Sequence, residues 1–243
     1  MHFHLPKPLH GWRQFIGEVG IIVLGVLIAL GGEQLLQAVH DRHVAAQTSR
    51  DVREEAAIGL AFNLSRLQES PCVFARLTQL DAMLDKGAVP AGAPIWVGRP
   101  DDMPIFTDRW HAVTASARSA MFPPDEQARF DNLYAHFARF EQFEKLEQAA
   151  WTDLRVMERL HGAIDPQTRF TLMRAAEEAR HQDFKIRNEA YFAKLTARQL
   201  GIAPNRRYGR VQARAICLPI TTNPDEAQKV LTGVNMRPIE RPD

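Results

Sequence analysis

The stretch from Trp12 to Leu36 constrains this chain more than any other part of its 243 residues. Residues 19–32 are fourteen consecutive positions without a charged side chain, all of them Val, Ile, Leu, Ala or Gly. Extended to residues 15–36, the segment would form an α-helix of roughly 33 Å, enough to cross a hydrocarbon layer of about 30 Å. The sequence therefore predicts a transmembrane helix over residues 15–36, preceded by an arm of residues 1–14.

A cleaved signal peptide is the alternative interpretation of the same segment. Lys7 and Arg13 would be its basic start, an apolar core follows, and Ala29-Leu30-Gly31 has the small residues of a cleavage site. However, the helical spacing of apolar residues continues to Val39, and no proline follows before Pro71. A signal peptidase needs an extended or broken segment at its cleavage site, so an uncleaved anchor is favoured.

The charges on either side of the segment predict its orientation. Lys7 and Arg13 precede it, and the first acidic residue is Glu18. Because basic flanks stay in the cytoplasm, we expect a single-pass protein of a bacterial inner membrane, with its N-terminus cytoplasmic and most of the chain periplasmic. Beyond residues 1–40 the chain has 28 basic and 27 acidic residues, a balance that predicts no nucleic-acid partner.

The two cysteines of the chain, Cys72 and Cys217, both lie on the predicted periplasmic side. Two distant thiols in an oxidising compartment favour a disulfide, and each lies close to a proline that ends a predicted helix, Pro71 or Pro219. The bond would close a loop of about 145 residues and contribute on the order of 4 kcal/mol to stability. Two buried free thiols are the alternative.

Beyond the anchor, apolar residues recur almost everywhere at helical spacing. Prolines, glycines and capping residues divide this pattern into helices up to residue 70 and over residues 72–85, 108–122, 124–162, 166–200 and 206–218. The two longest are joined by a tight connection at Asp165, so they must be antiparallel. The predicted fold is all-α: a single N-terminal transmembrane helix continuing into an elongated antiparallel helical bundle over residues 37–218, with an extended tail over residues 219–243.

Residues 17–30, GEVGIIVLGVLIAL, follow Trp12-Arg13 and carry a resemblance to a known group of proteins. They resemble the N-terminal signature of uncharacterised bacterial single-pass membrane proteins, in which a GE-(V/I)-x-I-(L/V)-V-(L/I)-G-(V/I)-LIAL segment precedes a long charged helix. The rest of the chain shares only helical character with that group. The resemblance implies a retained membrane anchor and a helical domain, and it implies no activity and no site residue.

Two Glu-x-x-His motifs, Glu158/His161 and Glu178/His181, fall on the two longest predicted helices. In some four-helix bundles such pairs build di-iron sites, because spacing i, i+3 puts both side chains on one helix face. Here the connection at Asp165 offsets the two motifs by roughly 9 Å along the bundle. They are interpreted as solvated helix faces, and no metal site is predicted.

No other pattern predicts catalysis or a cofactor. His40 and His43 are a two-residue pair, too few for a zinc site. The sequence has no Gly-rich phosphate loop, no C-x-x-C pair and no G-x-S-x-G nucleophile motif. We therefore expect a protein that is not an enzyme and holds no cofactor, with a metal-dependent bundle enzyme as the least favoured alternative.

Two groups of residues are candidates for intermolecular contacts. Gly25, Ala29 and Gly32 share one face of the predicted span, and Gly25-x-x-x-Ala29 is a small-xxx-small pair that permits close helix association in lipid. Four arginines near the C-terminal end could contact an anionic partner or lipid headgroups, or could simply be a charged helix face: Arg206, Arg207, Arg210 and Arg214.

These observations predict a membrane-anchored periplasmic helical protein that binds another protein or a second copy of itself. The alternative is a small-molecule-sensing bundle, in which the apolar loop over residues 88–107 would cover a pocket.

Overall fold

The structure is a computed structural model that describes residues 12–92, 95–102, 104–208, 214–223, 225–227 and 229. The chain divides into two compact units, one ending at Ser49 and one starting at Arg50. Five α-helices are present in the described residues: α1 Trp12–Leu67, α2 Ser70–Lys86, α3 Asp108–Thr114, α4 Pro124–Leu154 and α5 Pro166–Gln199. Short 3-10 helices cover Ala117–Met121, Arg155–Arg159 and Ala215–Cys217, and two-residue strands cover Ala88–Val89 (β1) and Gly162–Ala163 (β2). The predicted all-α class is confirmed.

The helix ends follow from local sequence. Helix α2 stops at Gly87, whose φ of 65° is readily adopted only by glycine and whose N–H donates to the carbonyl of Leu84. Helix α5 begins after Asp165, whose side chain accepts a hydrogen bond of 3.0 Å from the N–H of Thr168, with Pro166 in the first turn. Both ends agree with the sequence prediction.

Helix α4 ends at Leu154, eight residues before the predicted end at residue 162. The chain continues as a 3-10 helix and then as β2, which pairs antiparallel with β1 so that Ala163 lies opposite Ala88. In addition, the N–H of Ile164 donates to the carbonyl of Gly87 at 2.8 Å. These backbone bonds attach the α4–α5 connection to the end of α2, and they replace the last two turns of the predicted helix.

Antiparallel α4 and α5 form the centre of the second unit, and two apolar clusters lie along them. One cluster joins α2 to the end of α4 and the start of α5, around Trp151 and Leu80. The other joins the part of α1 after Arg50 to α3, the start of α4 and the end of α5, around Trp110 and Phe137. Here Gly59 of α1 lies so close to the Phe137 ring that an added Cβ would be 2.9 Å from it.

Two other predicted helices do not form as continuous α-helices. The prediction over residues 108–122 is interrupted after α3, where Ser116 is extended and caps the following 3-10 helix. The predicted helix over residues 206–218 is a turn at Arg206 and Arg207 and a 3-10 helix at Ala215–Cys217, and residues 209–213 lie outside the described residues. Of the predicted extended tail, residues 225–227 are helical and residues 230–243 are not described.

Candidate functional site

The first unit presents a continuous apolar surface. Along α1 the large apolar side chains from Phe15 to Val39 are all exposed, with Ile21 at 73% and Leu36 at 74%. An 18-residue window of this helix has a mean hydropathy of 2.3 and none of it is buried within the chain. Among the described residues this is one helix that is long and apolar enough to cross a membrane. Exposure of this extent is unfavourable in water and favourable in lipid.

The predicted association residues Gly25, Ala29 and Gly32 lie on this exposed part of α1. A Cβ added to Gly25 or Gly32 would meet no atom within 4 Å, so packing within the chain does not require glycine at either position. Their role in association between spans stays a prediction.

The predicted disulfide between Cys72 and Cys217 is present, with a Cα–Cα distance of 5.0 Å. It joins the first turn of α2 to the 3-10 helix at Ala215–Cys217. Cys217 is exposed and Cys72 is partly buried. The bond therefore fixes the C-terminal segment to the side of α2, 145 residues away along the chain.

Arg76, one turn after Cys72, binds two separate backbone segments through its guanidinium. It donates hydrogen bonds to the carbonyl oxygens of Trp96, Val97 and Leu218. Burial lowers the pKa of Arg76 to about 10, against the opposing effect of the Glu158 carboxylate. The predicted apolar loop thus packs, at residues 95–98, against α2 and the disulfide-linked segment.

Glu158, from the first Glu-x-x-His motif, belongs to the same junction. Its Oε1 accepts hydrogen bonds from the N–H groups of Val97 (3.1 Å) and Gly98 (3.2 Å). Its motif partner His161 is exposed. The interpretation of this motif as a solvated helix face is therefore wrong for Glu158, which positions the loop.

The interior of the second unit contains a charged cluster centred on Arg66 of α1. Arg66 has no exposed surface, and its Nη2 lies 2.6 Å from Oε1 of Glu147 and 3.1 Å from Oδ1 of Asp183. Ser70 donates to the same Asp183 oxygen at 3.0 Å. This cluster links α1, α2, α4 and α5, and no sequence pattern predicted it.

Burial and charge act in opposite directions on this cluster. Burial raises the pKa of Glu147 because it penalises the carboxylate, and the positive charge of Arg66 opposes that effect. For Arg66, burial disfavours the charged form, but the carboxylates of Glu147 and Asp183 outweigh it and the pKa is raised. Arg66 is therefore charged and is neutralised inside the bundle by acids from two other helices.

Glu69, one residue before α2, is a second buried acid nearby. Its carboxylate accepts a hydrogen bond from the N–H of Asp101 at 3.1 Å and lies 3.8 Å from Nε of Arg214. Burial and the neighbouring Asp101 carboxylate raise its pKa to about 7, against the attraction of Arg66. Glu69 therefore titrates near neutral pH.

Of the four predicted C-terminal arginines, the three that the structure describes do not form one surface. Arg214 is partly buried and donates to Oε1 of Gln68 at 2.6 Å, so it belongs to the bundle interior around Glu69. Arg206 and Arg207 are exposed on a turn, and Asn205 just before them donates its N–H to the carbonyl of Ala57. Arg210 lies outside the described residues.

The second Glu-x-x-His motif lies on the exposed side of α5. Glu178 and His181 line an open groove of about 700 Å³ between α4 and α5, together with Ala149 and Ala175. Within the described ranges, no group of three or more His, Cys, Asp and Glu side chains is arranged to hold a metal ion.

Comparisons with protein-family models, with curated proteins and with solved structures found no match to this chain.

Proposed function

We propose that this chain is a membrane-anchored helical protein whose bundle is an interaction module in an extracytoplasmic compartment. The observation that carries the proposal is the exposed apolar surface of α1 from Phe15 to Val39. A surface of this size on a soluble protein would be covered by a partner or would cause aggregation. Lipid covers it without any additional protein surface.

The disulfide supports an extracytoplasmic location for the bundle. Disulfides persist in oxidising compartments such as the periplasm and are rare in the cytosol. The Cys72–Cys217 bond lies after the apolar helix, and Lys7 and Arg13 before it favour a cytoplasmic N-terminus. Both features favour a periplasmic bundle.

The charged interior supports a role in interaction rather than in chemistry. Arg66 binds Glu147 and Asp183, and all three have almost no exposed surface, so a substrate in solvent does not reach them. Glu158 and Arg76 are likewise engaged with backbone groups. These side chains fix the arrangement of helices, and fixed helices present their outer faces in a defined geometry.

A small-molecule sensor is the second candidate, because the groove between α4 and α5 is large enough for a small ligand. Its polar lining residues are Asp153, Thr171, Arg174, Glu177, Glu178 and His181. A thermal-shift screen of the full chain with amino acids, nucleotides and organic acids tests this candidate. A hit that is lost in Arg174→Ala would support it.

The main proposal is tested in two steps on the full chain expressed in a bacterium. Alkaline carbonate should leave the protein in the membrane pellet, because lipid holds the apolar helix. External protease should cut the bundle in spheroplasts and should leave it intact in inverted vesicles. Release by carbonate would refute the anchor, and protection in spheroplasts with cleavage in inverted vesicles would refute the orientation.

A further inference from the structure

Three aromatic rings meet on the surface of the second unit, each from a different segment of the chain. Phe62 is on α1, Phe106 is at the end of the apolar loop, and Tyr208 follows α5. Between centroids, the Phe62 ring lies 5.9 Å from that of Tyr208 and 6.4 Å from that of Phe106. Phe106 is 46% exposed and Tyr208 is 41% exposed, whereas Phe62 is partly buried. We call these three residues, with Arg206 and Arg207, the aromatic–arginine patch.

The two arginines of the patch belong to a hydrogen-bonded turn that ends at Tyr208. The N–H of Asn205 donates to the carbonyl of Ala57 on α1 at 2.9 Å, which fixes the start of the turn. The Asn205 side chain accepts from the N–H of Arg207 at 3.0 Å, and the Asn205 carbonyl accepts from the N–H of Tyr208 at 3.2 Å. Arg206 and Arg207 are exposed, and neither forms an ion pair with another described residue. The turn therefore presents two uncompensated positive charges beside aromatic rings.

We propose that the aromatic–arginine patch binds a short acidic segment of a partner protein, in which an aromatic or aliphatic side chain lies between carboxylates. This inference rests on the interaction module proposed above and names the chemistry of its partner. The carboxylates pair with Arg206 and Arg207, because a guanidinium binds a carboxylate through two parallel hydrogen bonds. The apolar side chain of the segment covers Phe62 and contacts Phe106 and Tyr208.

The size of the patch selects a short segment over a whole domain. An aromatic side chain offers about 200 Å², so the exposed parts of Phe106 and Tyr208 together leave on the order of 200 Å² uncovered. A standard protein interface buries roughly 800 Å² on each partner. Aromatic residues and arginines nevertheless dominate the binding energy of many interfaces. The patch therefore fits a weak but specific complex with a few residues of the partner.

Charge and exposure distinguish this partner from two other occupants. A second copy of the chain, related by a twofold axis, would bring the arginines of both copies into one interface, where like charges repel. A lipid surface suits apolar side chains that project beyond their neighbours. Here Phe62, the ring that contacts both of the others, is the least exposed of the three. Such a site receives a side chain instead of inserting one.

Charge exchange between the patch and a peptide tests the ion pairs. The full chain in a non-ionic detergent is titrated into a fluorescein-labelled peptide of three Glu-Glu-Phe repeats, and fluorescence anisotropy measures the Kd. Arg206→Glu with Arg207→Glu should raise the Kd at least about tenfold for this peptide and lower it as much for a Lys-Lys-Phe peptide, because the charge of the patch is reversed. No binding of the Glu-Glu-Phe peptide by the parent chain would overturn the proposal.

A matched control separates recognition by the patch from the net charge of the chain. Arg174→Glu with Lys86→Glu makes the same change of charge at two exposed positions, near the start of α5 and at the end of α2. It should change the Kd of either peptide less than about twofold. Equal effects of the two double reversals would show that the arginines of the patch are not recognised, and would refute their role.

The apolar contact is tested with the same assay. Phe106→Ser should raise the Kd of the Glu-Glu-Phe peptide at least about fivefold, and so should a peptide with Ser in place of each Phe. Thermal unfolding of the variant shows whether the bundle is still folded, and the altered peptide gives the same information without any change to the protein. Unchanged binding of the Ser peptide would mean that the rings take no part.

The alternative occupants are outcomes of two further measurements. Sodium glycerol phosphate, a soluble lipid headgroup, should displace the peptide no more than sodium chloride of equal ionic strength does. Selective displacement would assign the arginines to lipid headgroups. A parent chain that sediments as a dimer, and that Arg206→Glu with Arg207→Glu dissociates, would assign the patch to a second copy. Either result would contradict an acidic protein segment. Carbonate extraction of the same variants reports the anchor, so failure of the proposed function is seen separately.

Discussion

The two parts of α1, before Ser49 and after Arg50, have opposite patterns of exposed and buried side chains. Before Ser49 the helix exposes Ile, Leu and Val side chains, and after Arg50 it buries charged and amide side chains, including Glu55, Asn63 and Arg66. Exposed apolar groups are favourable only where the solvent is apolar, and buried charges persist only where opposite charges and hydrogen bonds compensate them. In this helix the apolar side chains are therefore the exposed ones and several polar side chains are buried. The first part fits an apolar environment such as lipid, and the second fits a protein interior with compensating charges.

The disulfide should matter for the bundle and not for the anchor. Replacing both cysteines with serine (C72S/C217S) should lower the free energy of unfolding by on the order of 4 kcal/mol, because the long loop is released. Urea unfolding of the full chain in detergent measures the loss. Carbonate extraction of the same variant should be unchanged. A difference under about 1 kcal/mol would mean that the hydrogen bonds of Arg76 hold the C-terminal segment without the covalent bond.

Removing the buried charge of Arg66 should lower the free energy of unfolding nearly as much as removing the disulfide. Arg66→Met leaves Glu147 and Asp183 buried without their shared partner, and this should destabilise the bundle by about 3 kcal/mol. Adding Glu147→Leu should recover part of the loss, because it removes a buried acid. The exposed Arg198→Met is a matched control and should change stability by less than about 0.5 kcal/mol. Equal losses in Arg66→Met and the control would contradict the role of the cluster.

Sequence patterns predicted the long apolar N-terminal helix, the end of α2, the start of α5 and the disulfide, because each has a local signal or follows from composition. They did not predict the Arg66 cluster, because none of Arg66, Glu147 and Asp183 belongs to a motif that spacing singles out. Arg66 and Asn63 do follow Leu60 on one face of α1, and Glu147 precedes Trp151 on α4. A charged residue on an otherwise apolar helix face is the sequence signal that could have predicted a buried ion pair here. Which acids neutralise it depends on tertiary packing, which spacing alone does not determine.

The wrong helix near the C-terminus has a similar cause. Residues 206–218 have amphipathic spacing, but Asn205 bonds to Ala57 of α1, and Cys217 is held against α2 by the disulfide. Contacts with distant parts of the chain thus fix both ends of the segment. Local propensity is overridden in this way when long-range bonds satisfy the backbone instead.

Glu69, the buried acid just before α2, should make the stability of the bundle depend on pH. The pKa of Glu69 is raised from 4.5 to about 7 in the folded chain, so the folded state binds the proton more tightly than the unfolded state. Stability from this group is therefore fully present below about pH 4.5 and is lost as pH rises through about 7, a change on the order of 3 kcal/mol. Asp101 and Glu147, whose pKa values are also raised by burial, contribute with the same sign.

Glu69→Gln separates this group from its neighbours. The amide cannot ionise, so the decrease in stability between pH 5 and pH 8 should become smaller than in the parent protein. Urea unfolding at four pH values measures both slopes. Identical slopes would show that Glu69 does not titrate in this range.

The smallest expected effect concerns the exposed part of α1. Gly25→Leu with Ala29→Leu should weaken association between spans by about 1 kcal/mol, because larger side chains keep the helix backbones apart. A span-association reporter measures the change, and insertion of both forms is checked by carbonate extraction. Val26→Leu is a control on a different face of the helix. An unchanged reporter signal would leave the span without a close helix contact.

Thiol labelling in spheroplasts tests most directly whether lipid covers the apolar stretch of α1 from Phe15 to Val39. With the native cysteines bonded, Gly25→Cys and Gln47→Cys each introduce one thiol, and both positions are exposed on the isolated chain. A membrane-impermeant maleimide should label Gln47→Cys and leave Gly25→Cys unlabelled until SDS is added, because lipid covers only the apolar part. Equal labelling of both positions before SDS is added would contradict the membrane anchor.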